Sequence, residues 1–221
     1  MTKPELIVML TWNDKTVEGA KKIFLEAKDA PARYWGCKRE GISEENLRDL
    51  LLTMKENGKE TFMETIAIDE EPCLETARIA ASCGAEHLIG TVYFDSVKKI
   101  CDEAGMTYYP FIGLGSDTHL HGTPEIIAAD AKRVENKGVT GISLSAFRYT
   151  EGDPLELLKV VSDTVNCKII LAGSVNSTER IDVLKATKNL FGFTIGGAFF
   201  ENVFGNGFSE QIKVVSEYIL K

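Results

Sequence analysis

Residues 168–201 read KIILAGSVNSTERIDVLKATKNLFGFTIGGAFFE. Two apolar runs, 168–174 and 190–199, flank a segment, 177–188, that opens on Ser177-Thr178-Glu179-Arg180 and has no interior helix breaker. The pattern predicts strand, helix, strand. Runs that are apolar throughout, rather than alternating, belong to strands covered on both faces, as in a parallel sheet. Each run stops on small residues, Ala172-Gly173-Ser174 in the first and Gly196-Gly197-Ala198 in the second. A turn needs one glycine. Several small residues at the ends of two neighbouring strands suit a place where backbone amides approach a ligand closely.

The same unit recurs along the whole chain. Strand-like runs at 5–12, 32–38, 61–68, 86–93, 106–114 and 139–147 alternate with helix-like segments at 15–29, 43–58, 72–84, 95–105, 124–138 and 153–165, and a last helix is predicted at 209–221. Ser43 and Asp153 stand where helix caps belong, Pro154 fits a first helical position, and Gly58, Gly84, Gly105 and Gly138 follow helices directly before strands. Strict alternation through eight units predicts an α/β fold, a (β/α)₈ TIM barrel, as a single domain spanning 1–221. The competing doubly wound open sheet should carry a glycine fingerprint after its first strand, and LTWNDKTVEG has no G-x-G-x-x-G.

Composition narrows the function. A 221-residue chain with 44% hydrophobic and 26% charged residues is ordinary globular material, and its net charge of −8 argues against nucleic acid as a partner. Phosphorylated small molecules remain open, because backbone amides bind phosphate without a basic surface. The five cysteines are scattered without a C-x-x-C pair, and the opening MTKPELIVMLTWND has an apolar run too short for a membrane helix and no signal cleavage region. The expectation is a cytoplasmic protein with reduced thiols and no membrane partner. A homodimer is compatible with a barrel's exposed helices, though nothing in the sequence forces one.

In a barrel of this kind the active site lies at the C-terminal ends of the strands, and strands seven and eight often supply a phosphate site completed by a short extra helix. Gly173 and Ser174 after the seventh run, and Gly196, Gly197 and Ala198 after the eighth, are the phosphate-binding candidates; the segment after Ala198 is long enough for that helix. The stretch 168–201 resembles the closing βαβ of the ribulose-phosphate-binding barrel superfamily, whose glycine turns after strands seven and eight hold the substrate phosphate. GCKREGISEENLRDL is similar to the turn after the second strand of N-acetylmannosamine-6-phosphate 2-epimerases, and GISLSAFRYTEG is loosely like their sixth-strand region. The resemblance implies a sugar-phosphate enzyme. Two of that family's catalytic positions are missing: Ala172-Gly173 stands in place of its Ala-Glu-Gly carboxylate, and no lysine follows the third strand, where Glu64 and Asp69 occur.

The residues themselves offer other chemistry. Glu64 interrupts the apolar run TFMETIAI, which is costly for a charge unless it is paired or functional. Lys38 ends the neighbouring second strand, so the two could form a buried ion pair or an acid/base pair. Lys38 is equally a candidate Schiff-base amine. Arg148 suits a carboxylate or phosphate, and Ser143 and Ser145 alternate along the sixth run, both facing the barrel interior. Asn13 and Asp14 are both candidates at the mouth, with Asp14 equally placed to cap the first helix, the reading preferred for it. In SDTHLHG, His119 and His121 lie two apart beside Asp117; a metal-dependent hydrolase is the minor reading, and the main ones are a histidine, His119 the candidate, as substrate contact or acid/base on a long loop, or a plain polar surface loop. His87 opens the fourth strand at the opposite end. No metal and no cofactor are called for. The sequence therefore predicts an enzyme acting on a small phosphorylated sugar or sugar-acid by isomerase- or epimerase-type proton transfer next to a carbonyl. The alternatives are a Schiff-base aldolase (a lyase) using Lys38 and a non-catalytic phosphometabolite-binding barrel.

Overall fold

The computed structural model describes residues 3–221. Eight parallel strands close a barrel in chain order: β1 (Glu5–Met9), β4 (Tyr34–Lys38), β5 (Glu60–Thr65), β6 (His87–Val92), β7 (Thr107–Phe111), β8 (Gly141–Leu144), β9 (Lys168–Leu171) and β10 (Leu190–Ile195). β10 returns to pair with β1, with Ile7 opposite Thr194. Each strand is followed by a helix on the outside, α1 (Ala20–Ala27), α2 (Glu44–Glu56), α3 (Glu70–Cys83), α4 (Asp95–Ala104), α5 (Pro124–Glu135), α6 (Pro154–Thr164) and α7 (Thr178–Lys185) in turn. After β10 come the short helix α8 (Gly197–Phe200) and the terminal α9 (Phe208–Leu220). This is the TIM barrel expected from the alternation.

Most of the helix signals act as read. Ser43, Asp153 and Ser177 accept capping hydrogen bonds from the amides of Asn46, Leu155 and Arg180. Gly84 and Gly105 end α3 and α4 at φ 78° and 69°, a left-handed turn that side chains with a Cβ resist. The helices bury one face each against the strands, Leu47, Leu50, Leu51 and Met54 of α2 being an example. Each such fully buried aliphatic side chain contributes about 1.5–3 kcal/mol.

The first unit departs from expectation. The apolar run 5–12 is one strand only to Met9; Thr11–Trp12 (β2) then pairs antiparallel with Lys15–Thr16 (β3) across a two-residue turn. Asn13 and Asp14 occupy that turn at φ 49° and 57°. Left-handed conformation at both central residues defines the turn that best fits the twist of a hairpin, and Asn and Asp tolerate it. The first helix therefore starts at Ala20 rather than near Lys15, and Asp14 does not cap it. The run 139–147 is strand only over Gly141–Leu144, followed by a 3₁₀ turn at Ala146–Arg148 that carries Arg148 back over the mouth.

The barrel interior is filled from its N-terminal end. Ile7, Met9, Tyr34, Phe62, Ile89, Tyr109 and Ile170 form one buried cluster with Phe191 against it, and Tyr34 meets Phe62 edge-on with ring centres 5.8 Å apart. These aromatics plug the bottom and leave the C-terminal mouth open. All five cysteines are unpaired thiols, four of them buried. Among the described residues, no helix is long and apolar enough to cross a membrane.

Candidate active site

A cavity of about 310 Å³ opens at the C-terminal ends of the strands. Lys38 is the last residue of β4 and Glu64 lies beside it on β5, paired in register. Burial of both follows from their position on the inner face of a closed barrel, where residues alternate in and out. Lys38 Nζ lies 3.9 Å from Glu64 Oε1 and 2.8 Å from Asp14 Oδ1, and the Lys38 side chain is only 6% exposed against 58% for Asp14. Arg148 Nη1 stands 3.6 Å from the same Asp14 oxygen. The four groups form an alternating row, Glu64, Lys38, Asp14, Arg148, running from the barrel interior to its rim.

The electrostatics of the two carboxylates differ. Burial pushes the Glu64 carboxyl above the usual carboxylate range, against the opposing pull of Lys38 and Arg148. Asp14 feels partial burial too, yet the Lys38 hydrogen bond and charge and the nearby Arg148 hold it below its ordinary value. The Glu64 carboxylate accepts no hydrogen bond from any described residue; it faces the cavity with its one cation at ion-pair distance. A carboxylate with a raised affinity for protons and free lone pairs in a cleft is equipped for general acid/base work.

The hairpin places Asp14 by tying itself to β4. Thr16 Oγ1 donates to the Lys38 carbonyl at 2.6 Å and accepts the Lys38 amide at 2.9 Å. Trp12 Nε1 donates to Glu201 Oε1 at 3.2 Å, joining the hairpin to the end of α8. Asn13, Asp14, Ser145 and Arg148 all line the cavity, as the sequence predicts for Asn13, Ser145 and Arg148. Ser143, one layer deeper, has a buried hydroxyl with no partner among the described residues and does not reach the cavity.

On the opposite wall Gly173, Ser174, Gly196, Gly197 and Ala198 converge. The amides of Ser174, Gly197 and Ala198 donate to no acceptor among the described residues and remain for a ligand. Gly173 works differently from expectation. Its amide is taken by Thr194 Oγ1 at 2.8 Å. Its φ is 77°, and a Cβ there would come within 3.1 Å of the Arg148 guanidinium. Gly173 therefore makes room for Arg148 rather than lending its own amide. Gly196 is needed for close approach as well, since a Cβ would fall 2.6 Å from the Thr11 carbonyl.

His119 is not brought to the site. It lies on the exposed loop after β7, outside the cavity lining. In the same loop His121 is held between two carboxylates, Nδ1 at 2.6 Å from Glu151 and Nε2 at 2.8 Å from Asp117. With both ring nitrogens engaged, His121 ties Asp117 of its own loop to Glu151 of the loop after β8. Among the described residues, no three His, Cys, Asp or Glu side chains cluster as a metal ion would require. One site residue, Thr194, escapes the sequence reading, and Asp14 is read there chiefly as a helix cap. Asp14 is the close partner of Lys38, signalled by the Asn-Asp pair that favours a left-handed hairpin turn. Thr194 is the one polar residue in the apolar strand LFGFTI, the same signal that singles out Glu64.

No protein-family model and no curated protein sequence matches the chain. Solved structures do match its fold. Orotidine 5′-monophosphate decarboxylase from Methanocaldococcus jannaschii superimposes with a TM-score of 0.71 at 15% identity, over 97% of this chain and 98% of that one. The same enzyme complexed with the inhibitor BMP gives 0.73 at 14% identity, over the full length of both chains. A native KDPGal structure gives 0.66 at 15% identity, over 99% of this chain and 95% of that one. Likeness at such low identity establishes the barrel and not the chemistry.

Proposed function

We propose that the protein is an enzyme acting on a small phosphorylated sugar or sugar-acid, moving a proton next to a carbonyl as an isomerase or epimerase. The observation that carries this reading is Glu64: a buried carboxylate with no hydrogen-bond donor of its own, turned into the cavity beside Lys38. In this reading the substrate phosphate rests on the amides of Ser174, Gly197 and Ala198. Glu64 takes the proton from the carbon next to the carbonyl and delivers it to the adjacent carbon, which isomerises the sugar, or to the opposite face of the same carbon once the planar intermediate has turned, which epimerises it. The Lys38 ammonium stabilises the negative charge that develops on the carbonyl oxygen in between. The ligand named for one barrel neighbour, orotidine 5′-monophosphate, carries a phosphate in the same kind of fold, which supports the phosphate end.

The aldolase reading asks Lys38 to attack a carbonyl. As placed, Lys38 donates to Asp14 at 2.8 Å, a role that suits charge stabilisation better than nucleophilic attack. The deciding experiment incubates candidate keto sugar phosphates with the protein in deuterium oxide and follows exchange at the carbon next to the carbonyl by NMR. Exchange that disappears in Glu64→Gln while ligand binding persists supports the proposal. A Lys38 adduct trapped by borohydride would move the assignment to the aldolase. Tight binding with neither exchange nor adduct would leave a binding barrel.

A further inference from the structure

Asp14 is an unusual partner for Lys38. Glu64 already provides a countercharge inside the barrel, whereas Asp14 reaches in from a hairpin tip and stays 58% exposed. Its Oδ1 is shared between the two cations that line the cavity among the described residues, Lys38 at 2.8 Å and Arg148 at 3.6 Å. That is the position a ligand carboxylate would take: one oxygen on an ammonium, and a planar guanidinium at hand for a two-pronged contact. Around it the wall is built of small groups, Ser145, Ala172 and Gly173, and the space beside the guanidinium depends on Gly173 having no Cβ.

We infer that the Lys38–Arg148 pair is a second anion subsite, taking a carboxylate of the ligand, and that Asp14 is an internal carboxylate which the ligand displaces from it. The inference deepens the proposed function, resting on it for the phosphate end, and narrows the substrate class to phosphorylated sugar acids. Displacement leaves the charges balanced, with Lys38 facing Glu64, Arg148 facing the ligand, and Asp14 returned to water. The cost is limited because Asp14, 58% exposed, regains water as it leaves, while the buried Lys38 keeps Glu64 as a countercharge. The hairpin need not move. Its base is held by the Thr16 amide on the Glu40 carbonyl at 2.8 Å and the Val17 amide on the Leu10 carbonyl at 3.0 Å, so rotation of the Asp14 side chain suffices.

The test titrates the full chain with three probes, followed by NMR chemical shifts at low salt: glycolate, with a carboxylate only; inorganic phosphate; and phosphoglycolate, with both groups. Asp14→Asn keeps a residue that accepts the left-handed turn, and Asp14→Gly serves as a second variant should the first fold poorly. Removing the competitor should tighten glycolate and phosphoglycolate by about five-fold and change phosphate by less than about two-fold. The gain should vanish when Asp14→Asn is made on an Arg148→Gln background. Carboxylate binding that is absent, unchanged or weakened in Asp14→Asn overturns the inference, as does equal tightening of all three probes. Failure of phosphate to bind, with the glycolate gain intact, would overturn the phosphate end of the proposed function while upholding the carboxylate subsite.

Discussion

Strand β5 carries two glutamates four residues apart, Glu60 and Glu64, both on its inward face. At the N-terminal end of the barrel Glu60 is saturated: Arg33 Nε donates to it at 2.8 Å, with Nη2 on the same oxygen, and His87 Nε2 lies 3.3 Å from the other. Between the two acids Phe62 seals the interior, its ring centre 4.2 Å from that of His87. At the C-terminal end Glu64 has, among the described residues, one cation at 3.9 Å and no side-chain hydrogen bond. The residue type, strand and face are the same, yet one end is finished as structure and the other is left unfinished toward a cavity. Glu60 is paired and partly exposed, whereas Glu64 is buried with its hydrogen bonds unmet among the described residues, the combination on which the proposed role of Glu64 rests.

The sharpest way to break this contrast is activity. Glu64→Gln should reduce substrate-dependent deuterium exchange by about a hundred-fold or more, while Glu60→Gln should leave it within about two-fold. Comparable losses from both would erase the distinction. Stability is next. Lys38→Met strands Glu64 without its cation and should cost about 3 kcal/mol in urea unfolding, largely recovered in the Lys38→Met/Glu64→Gln double variant. The matching cut at the bottom, Arg33→Ala, breaks an exposed pair and should leave the urea midpoint nearly unchanged. Gly173→Ala imposes a left-handed conformation on a residue with a Cβ and should cost about 1–2 kcal/mol. It should also lower affinity for a carboxylate ligand by displacing Arg148.

The smallest effect is the most specific in sign. The Glu64 pKa is raised in the folded state, so the native protein binds this proton more tightly than the unfolded chain does. Stability from this group is complete at low pH and is lost as pH rises from the ordinary glutamate range through the raised value. Glu64→Gln should therefore melt at a progressively higher temperature than the parent over that window, and by a constant margin above it. Asp14 is shifted the other way. Its contribution is present above the ordinary aspartate range and is lost as pH falls through its lowered value, so Asp14→Asn should approach the parent in acid. Thermal melts across pH read both slopes, and a Glu64→Gln margin that shrinks as pH rises would contradict the placement of Glu64.

Much of this was legible beforehand where local chemistry decides it. The apolar runs, the caps at Ser43, Asp153 and Ser177, and the small residues after β9 and β10 announce a parallel barrel and one wall of its mouth. Glu64 and Lys38 stand out because a charge at the end of a buried strand is expensive. The first unit misled because the run 5–12 has no breaker before Asn13, while a hairpin of two short strands leaves only a weak period-two signal. His119 misled for a different reason. Nothing local says whether a histidine on a long loop turns to the mouth or to a neighbouring loop.

The sequence by itself determined the eight-fold alternation, and with it which end of the barrel forms the mouth, because strand periodicity and turn chemistry act within a few residues. Only the tertiary structure decided that Asp14 belongs to Lys38, that the Gly173 amide belongs to Thr194, and that Glu60 is satisfied where Glu64 is not. Those pairings join residues distant in the chain, and their strength depends on burial and on distances of a few ångströms, which exist only once the barrel has closed.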